Sequence, residues 1–463
     1  MRKGTEQKED RRILVAVLFI FLPFCYDNCV SFNFFTLRFI ICSRLEHESM
    51  QETGNVKMIT RFEDAPEFQA FLQRHAEMEE ATGNHDPYFT IHDSPLTDTS
   101  IMNGKRVLNF GSYNYVGMSG RKEVSEAAKE AIDRYGTSAS GSRLLAGEKT
   151  LTQTLEKELA AWKHTEDCLV LVSGFGTNQT FVGNFCGDGD LIVYDEYAHS
   201  SIWQGCQMSR ATCRPFPHND AKALDRILST RRSRFSKVLI VIEGSYSMDG
   251  DIADVPAFVE IKKKYGCFLM VDEAHSSCVL GETGGGVDEY FHLDPTDIDV
   301  KMGTLSKGLG ACGGYLAGPR SIIEYMRYFL PGFVFSVGIS PALAAAALTS
   351  CRLLQSNPEI MQRMHHNIHF FAEEARKRHL NICLAGETAV IPVLIKDDLA
   401  AYRLSNAMLE KGVFVPPAVF PAVPRDQARL RFCVISEHTD EEIVTALDTL
   451  VACAAELGIT LPD

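Results

Sequence analysis

Five short apolar runs, alternating with helical stretches, constrain this chain more than any other feature. They cover residues 168–172, 191–194, 238–242 and 268–271, with a weaker one at 315–318. Each is too short for a buried helix and rich in Val, Ile and Leu. Such runs predict a mostly parallel sheet buried on both faces, hence an α/β fold. Upstream, residues 107–118 read as a strand running into a turn, and helical spacing covers 63–80, 122–135 and 150–163. After about residue 345 long helical patterns lead to strand candidates at 389–395 and 429–435 and a closing helix at 439–457. That change of pattern predicts a smaller α+β C-terminal domain.

Composition narrows the function classes. The chain has 463 residues, 45% apolar and 23% charged, and a formal charge of −14. It is too apolar for a disordered chain, and its length suits two or three domains. The acidic balance argues against a nucleic-acid partner. Its 14 cysteines include no C-x-x-C pair, which reads as reduced thiols in a cytosolic setting. The first fifty residues stand apart in composition. Residues 13–25 and 30–42 are apolar, and each run is shorter than the roughly 20 residues a spanning helix needs. Residues 13–42 are therefore read as a membrane contact or anchor on the cytosolic side, with Arg11 and Arg12 keeping the N-terminus inside. The alternative is an unstructured extension before a start at Met50 or Met58.

Ligands of open α/β sheets sit beyond the C-terminal ends of the strands. The residues after the apolar runs are 173–178 (SGFGTN), 195–199 (DEYAH), 243–247 (EGSYS) and 272–275 (DEAH). Asp272 ends a buried strand, where a carboxylate is costly without a cation or strong donor. Lys307 lies in the glycine-rich stretch 303–314, whose backbone leaves the amine room and whose burial favours a Schiff-base lysine. Residues 173–178 open a helix and offer amide groups to a phosphate. His199 has a ring that can stack. Singly, each has an ordinary explanation: an N-cap, a loop lysine, a plain βα turn, a structural histidine. Together they specify a ligand with a phosphate, an aromatic ring, a ring nitrogen to protonate and an aldehyde, which is pyridoxal 5'-phosphate (PLP). Two competing motifs fail. The DEAH string lacks an upstream phosphate-binding loop. The glycines 308, 310 and 313 precede a strand where a dinucleotide fingerprint must follow one.

The chain resembles the α-oxoamine synthases, within the fold-type I PLP-dependent transferases, over residues 62–455. The matching strings are 109–117 (NFGSYNYVG), 136–147 (GTSASGSRLLAG), 198–200 (AHS), 243–250 (EGSYSMDG), 272–275 and 303–307 (GTLSK). The resemblance implies a large PLP-binding domain at 111–345, a small C-terminal domain at 346–463, an N-terminal arm of that small domain at 61–110, and an extension at 1–60. It implies Lys307 as the Schiff-base lysine and base, Asp272 on the pyridine nitrogen and His199 stacked on the ring. His275 and Ser247 fall near the cofactor's phenolic oxygen and the substrate carboxylate. Phe175, Gly176 and Thr304 correspond to phosphate ligands. Arg431 corresponds to the carboxylate-binding arginine, with Arg429 near it, and Asn114 and Tyr115 to substrate contacts. Ser336 corresponds to a residue reaching the phosphate from a second subunit, so a homodimer with a shared site is implied.

The implied reaction is decarboxylative condensation of serine, glycine or alanine with an acyl-CoA or acyl-carrier-protein thioester. Residues 110–115, 290–299 and 302–304 are similar to the serine palmitoyltransferase branch, which gives the first expectation. The alternatives are the 8-amino-7-oxononanoate synthase and glycine C-acetyltransferase branches, a carrier-protein-dependent synthase, and a non-catalytic partner subunit. Lys307, Asp272 and His199 argue against the last.

Overall fold

The structure, a computed structural model, describes residues 58–83 and 86–463. Residues Arg61–Asp463 form one compact unit. The expected apolar runs become strands β3 (Asp167–Leu171), β4 (Leu191–Asp195), β6 (Val238–Glu243), β7 (Phe268–Asp272) and β9 (Gly314–Gly318). Two further strands complete a seven-stranded sheet, β5 (Thr212–Phe216) and β8 (Val300–Thr304), in the order β3-β9-β8-β7-β6-β4-β5. All neighbours are parallel except β9, which runs antiparallel to β3 and β8. Alternate residues of β6 feed different cores. Val238, Ile240 and Ile242 face one apolar cluster, and Leu239 and Val241 face another. Helices therefore cover both faces, as continuous apolar strands require.

β5 and β8 escape sequence reading for physical reasons. β5 contains Arg214 and Pro215 and lies at the sheet edge, where a missing N–H is tolerated. β8 carries the fully buried Lys301, which is neutralised by Asp288 at 2.7 Å. The helices that position the site are α4 (Gly174–Phe185) after β3 and α5 (Ser200–Met208) after β4. They follow α1 (Pro66–Thr82), α2 (Lys122–Tyr135) and α3 (Thr150–Trp162).

Two small sheets complete the fold. The hairpin β1 (Thr99–Met102)–β2 (Lys105–Asn109) pairs, through β2, in parallel with β11 (Val413–Phe414). The strand expected at 107–118 thus ends at Asn109. β10 (Val390–Lys396), β13 (Ala428–Cys433) and β12 (Pro417–Ala418) form the other small sheet. The closing helix spans Asp440–Leu457 and starts with a capping box, in which Thr439 and Glu442 bond each other's backbone N–H. Among the described residues no helix is long and apolar enough to cross a membrane. Residues 13–42, read as a membrane contact, lie outside the described residues.

Candidate active site

Neighbouring strands β4, β6 and β7 end on Asp195, Glu243 and Asp272, with Glu243 and Asp272 directly paired in register. Three carboxylates at one sheet edge need partners. Asp195 is satisfied by the chain itself. It accepts from Tyr246 Oη at 2.8 Å and from the Asn219 amide at 2.7 Å, and it pairs with His218 at 3.1 Å. Burial works against protonating His218, but Asp195 and Asp251 outweigh it and push its pKa up to about 10. Glu243 accepts from the His199 backbone N–H at 2.5 Å, and burial raises its carboxyl well above the usual range. Asp272 is different. It accepts from the Asn178 side chain at 2.6 Å and the Ala274 amide at 2.9 Å, is buried, and has no cation within ion-pair reach among the described residues.

Lys307 follows β8 and meets this edge. Its Nζ lies 2.6 Å from His275 Nε2, and His275 Nδ1 lies 2.7 Å from Tyr115 Oη. Burial lowers the Lys307 pKa to about 8, against the pull of Asp272 and Glu243. Burial, then Lys307, holds His275 neutral. A neutral His275 accepting from Lys307 carries its proton on Nδ1 and donates it to Tyr115. The glycine after the lysine serves packing more than lysine freedom. A Cβ on Gly308 would lie 2.4 Å from Cys278 Cβ.

Ser173 caps α4, its Oγ accepting the Gly176 N–H at 3.1 Å. That assigns the Gly176 amide to the cap, not to a phosphate as its position in the string implied. Gly174 and Phe175 are left to present first-turn amides. Gly174 packs against Thr304, whose Oγ1 would be 2.7 Å from an added Cβ. His199 caps α5 and holds Ser201 Oγ at 2.7 Å through Nδ1, and burial lowers its pKa and keeps it neutral. Phe175 meets its ring edge-on at 5.9 Å. Lys307, Asp272, His275, His199, Phe175 and Thr304 all line one cavity of about 270 Å3, with Asn178 and Glu243. A second cavity of about 290 Å3, bounded by His292, His365 and Glu387, shares no lining residue with it.

On β13, Arg431 donates from Nε to the Ser247 carbonyl at 2.7 Å and lies 5.1 Å from the Tyr113 ring centroid. Its Nη2 is buried with no hydrogen-bond partner among the described residues. Arg429 is bound to Asp249 at 2.8 Å and to the Met248 carbonyl, so its charge is already matched. Asn114 does not reach the cavity. Its amide nitrogen donates to Leu96 and Ser119 carbonyls and its oxygen accepts from the Ser119 N–H, which fixes the 112–119 turn. Ser247 offers Arg431 its carbonyl. Ser336 does not line the cavity and sits between the exposed Phe335 and Val337.

Three residues were missed as site residues. Tyr113 lies beneath both cations, 5.6 Å from Lys307 Nζ, and is 44% exposed. Asn178 and Glu243 are in quoted strings, but only their placement on Asp272 and His199 reveals their part. A buried carboxylate without a cation, a guanidinium nitrogen without a hydrogen-bond partner, a lysine with a lowered pKa and a capped helix N-terminus fit the pyridine nitrogen, substrate carboxylate, aldehyde and phosphate of PLP chemistry.

The aminotransferase class I and II family matches residues 105–450. The 8-amino-7-oxononanoate synthase of Symbiobacterium thermophilum is 38% identical over 366 residues, 79% of this chain and 93% of its own length. The 8-amino-7-oxononanoate synthase 1 of Bacillus subtilis is 38% identical over 358 residues, 77% of this chain and 91% of its own. A serine palmitoyltransferase structure from Sphingomonas wittichii superposes with a TM-score of 0.81 at 31% identity, covering 86% of this chain and 99% of that one.

Proposed function

The chain belongs to the PLP-dependent α-oxoamine synthases, acyltransferases that join an amino acid to an acyl thioester, and on that premise we propose that it forms a product of the 8-amino-7-oxononanoate type. That product's name carries its own chemistry. The amine sits on the penultimate carbon, so the amino acid is alanine, and the remote acid group belongs to a dicarboxylic acyl thioester. The long-chain reading of residues 110–115 gives way as first choice because the two curated relatives reported above are 8-amino-7-oxononanoate synthases at 38% identity. Serine and a long acyl chain form the second reading, supported by the TM-score of 0.81 to a serine palmitoyltransferase.

The observation that supports an amino acid as one substrate is the buried Nη2 of Arg431, which has no hydrogen-bond partner among the described residues and shares the Tyr113 ring with Lys307. A guanidinium there seats a carboxylate and turns the amino acid's Cα toward Lys307. PLP, when bound, supplies an electron sink for the pair left as Cα loses its proton. Lys307 takes that proton, with neutral His275 accepting from its Nζ and Tyr115 holding the imidazole. Asp272, aimed by Asn178 at 2.6 Å, would keep a positive charge on the ring nitrogen. His199 would stack on the ring, and Gly174, Phe175 and Thr304 would hold the phosphate. The exposed apolar residues Phe329, Phe335 and Val337 support a homodimer in which a second copy brings Ser336 to the site.

The deciding experiment titrates the PLP-loaded protein spectrally with alanine, glycine and serine, then follows thiol release from dicarboxylic and long-chain acyl thioesters of CoA and of carrier protein. Alanine with a dicarboxylic donor is expected to turn over fastest. Preference for serine with a long-chain donor overturns the assignment.

Two further results are expected. Arg431→Ala weakens amino-acid binding by about 2 kcal/mol, roughly 30-fold, because a charge-assisted pair is lost. Unchanged affinity in the spectral titration removes Arg431 from the carboxylate site. Capture of PLP by the cofactor-free protein accelerates as pH rises through about 8, where the Lys307 amine becomes neutral and nucleophilic, and levels off above it. A capture rate still climbing toward pH 10 shows an unshifted amine.

A further inference from the structure

Strand β13 carries two arginines, and one short loop after β6 holds both. In loop 245–252 the Ser247 carbonyl accepts from Arg431 Nε at 2.7 Å, the Met248 carbonyl accepts from Arg429 Nη1 at 3.0 Å, and Asp249 pairs with Arg429 at 2.8 Å. On its far side, Thr388 Oγ1 donates to the Gly250 carbonyl at 2.7 Å. The loop thus links the large sheet to the small one, and its placement sets where the Arg431 guanidinium points. The loop closes on itself through a bridge between Ser245 and Ile252 and through the Tyr246 N–H, which donates to the Asp251 carbonyl at 3.0 Å. Side chains fix it against the strand ends. His218, just past β5, lies 3.1 Å by Nδ1 from Asp195 Oδ1 and 3.2 Å by Nε2 from Asp251 Oδ2. Ionised carboxylates only accept, so both ring nitrogens carry protons and the imidazole is a cation. The other Asp195 oxygen accepts from Tyr246 Oη at 2.8 Å. The imidazole also stacks flat on Tyr197 at 4.4 Å and meets Tyr246 edge-on at 4.4 Å. His218 therefore clips the loop at both ends, at Asp251 directly and at Tyr246 through Asp195. Neither His218, Asp195, Tyr246 nor Asp251 lines the PLP cavity.

We propose that His218 is a positioning residue for the amino-acid substrate: by bridging Asp195 and Asp251 it fixes loop 245–252, and through the Ser247 carbonyl it aims the Arg431 guanidinium. This role rests on the reading of Arg431 as the seat of the substrate carboxylate. Without the imidazolium, Asp195 and Asp251 are left as buried carboxylates around the space of one lost cation. They repel, and the loop they grip relaxes. Arg431 then keeps its charge but loses its orientation, and a bidentate seat depends on orientation. The hold on the cofactor is separate. His199 is fixed by Glu243 and Ser201, and Asp272 by Asn178, none of which His218 touches.

The full-length PLP-loaded protein is titrated spectrally with alanine, its PLP dissociation constant is measured, and kcat and the alanine KM are taken with saturating thioester. His218→Gln is expected to weaken alanine binding about tenfold or more and to raise KM, with kcat and the PLP dissociation constant within about threefold of the parent. Tyr246→Phe, which removes one hydroxyl and keeps the ring, should weaken alanine by about threefold. In an Arg431→Ala background His218→Gln should have little further effect, because the residue it acts through is gone. Unchanged alanine affinity in His218→Gln overturns the role, and if that variant does not fold, unchanged affinity in Tyr246→Phe overturns it. An equal loss of alanine and PLP affinity shows a merely structural residue, and an undiminished loss in the Arg431→Ala background shows that His218 acts elsewhere; either result overturns the role. Unchanged alanine affinity in Arg431→Ala alone refutes the carboxylate site itself, and the role of His218 falls with it.

Discussion

Replacing Lys307 by alanine lowers turnover by about a thousandfold or more, the scale of a lost proton-transfer group. The expectation rests on three features. The amine is held 2.6 Å from a neutral His275, its pKa is lowered to about 8, and it lies over the same aromatic ring as Arg431. Nothing else in the cavity combines basicity near neutrality with that reach. Asp272 and Glu243 lie on the sheet edge, and His199 is engaged with Ser201. The variant should still bind alanine, because Arg431 and Asp272 remain, and its circular dichroism should match the parent. Thiol release measured with saturating thioester checks this, and turnover within tenfold of the parent would end Lys307's role.

Asp272→Asn is expected to lower turnover by about 100- to 1000-fold while leaving PLP bound, the usual cost of removing one preorganised electrostatic partner from a closed site. The substitution keeps the shape but removes the carboxylate that, in the proposed function, faces a protonated ring nitrogen. A second, independent effect follows. Asp272 raises the Lys307 pKa, so its loss should move the half-maximal pH for PLP capture below about 8. It also raises Glu243, which should then ionise at lower pH. A folded but inactive variant with an unmoved capture profile would mean that Asp272 acts through structure alone.

Much of this was legible in the sequence because strands buried on both faces leave no room for ambiguity. β4, β6 and β7 extend one residue past their apolar runs, and that residue is the carboxylate. β8 was hidden because Lys301 breaks the apolar pattern and only its distant partner Asp288 makes it acceptable. Within the site, Asp272 at its strand end and His199 at the start of the next helix were both legible as candidates, and both line the cavity. The diversion of others by local hydrogen bonding was not. Asn114 stabilises its own turn, and the Gly176 amide completes a cap. Tyr113 was missed for the opposite reason, since its importance comes from two cations that are remote in sequence.

The sheet order has a consequence for synthesis. β3 pairs only with β9, across residues Asp167 and Gly318, and β2 pairs with β11 across Leu108 and Val413. Phe110 receives the Cys433 N–H, and Asn109 meets His438. A ribosome-bound chain that has made β2 must therefore leave one of its edges open until β11 has emerged, and β3 waits for β9. Such long-range closure slows folding and exposes unpaired apolar edges to neighbouring chains. Loss of even the last thirty or so residues would strip partners from the beginning of the fold as well as from its end.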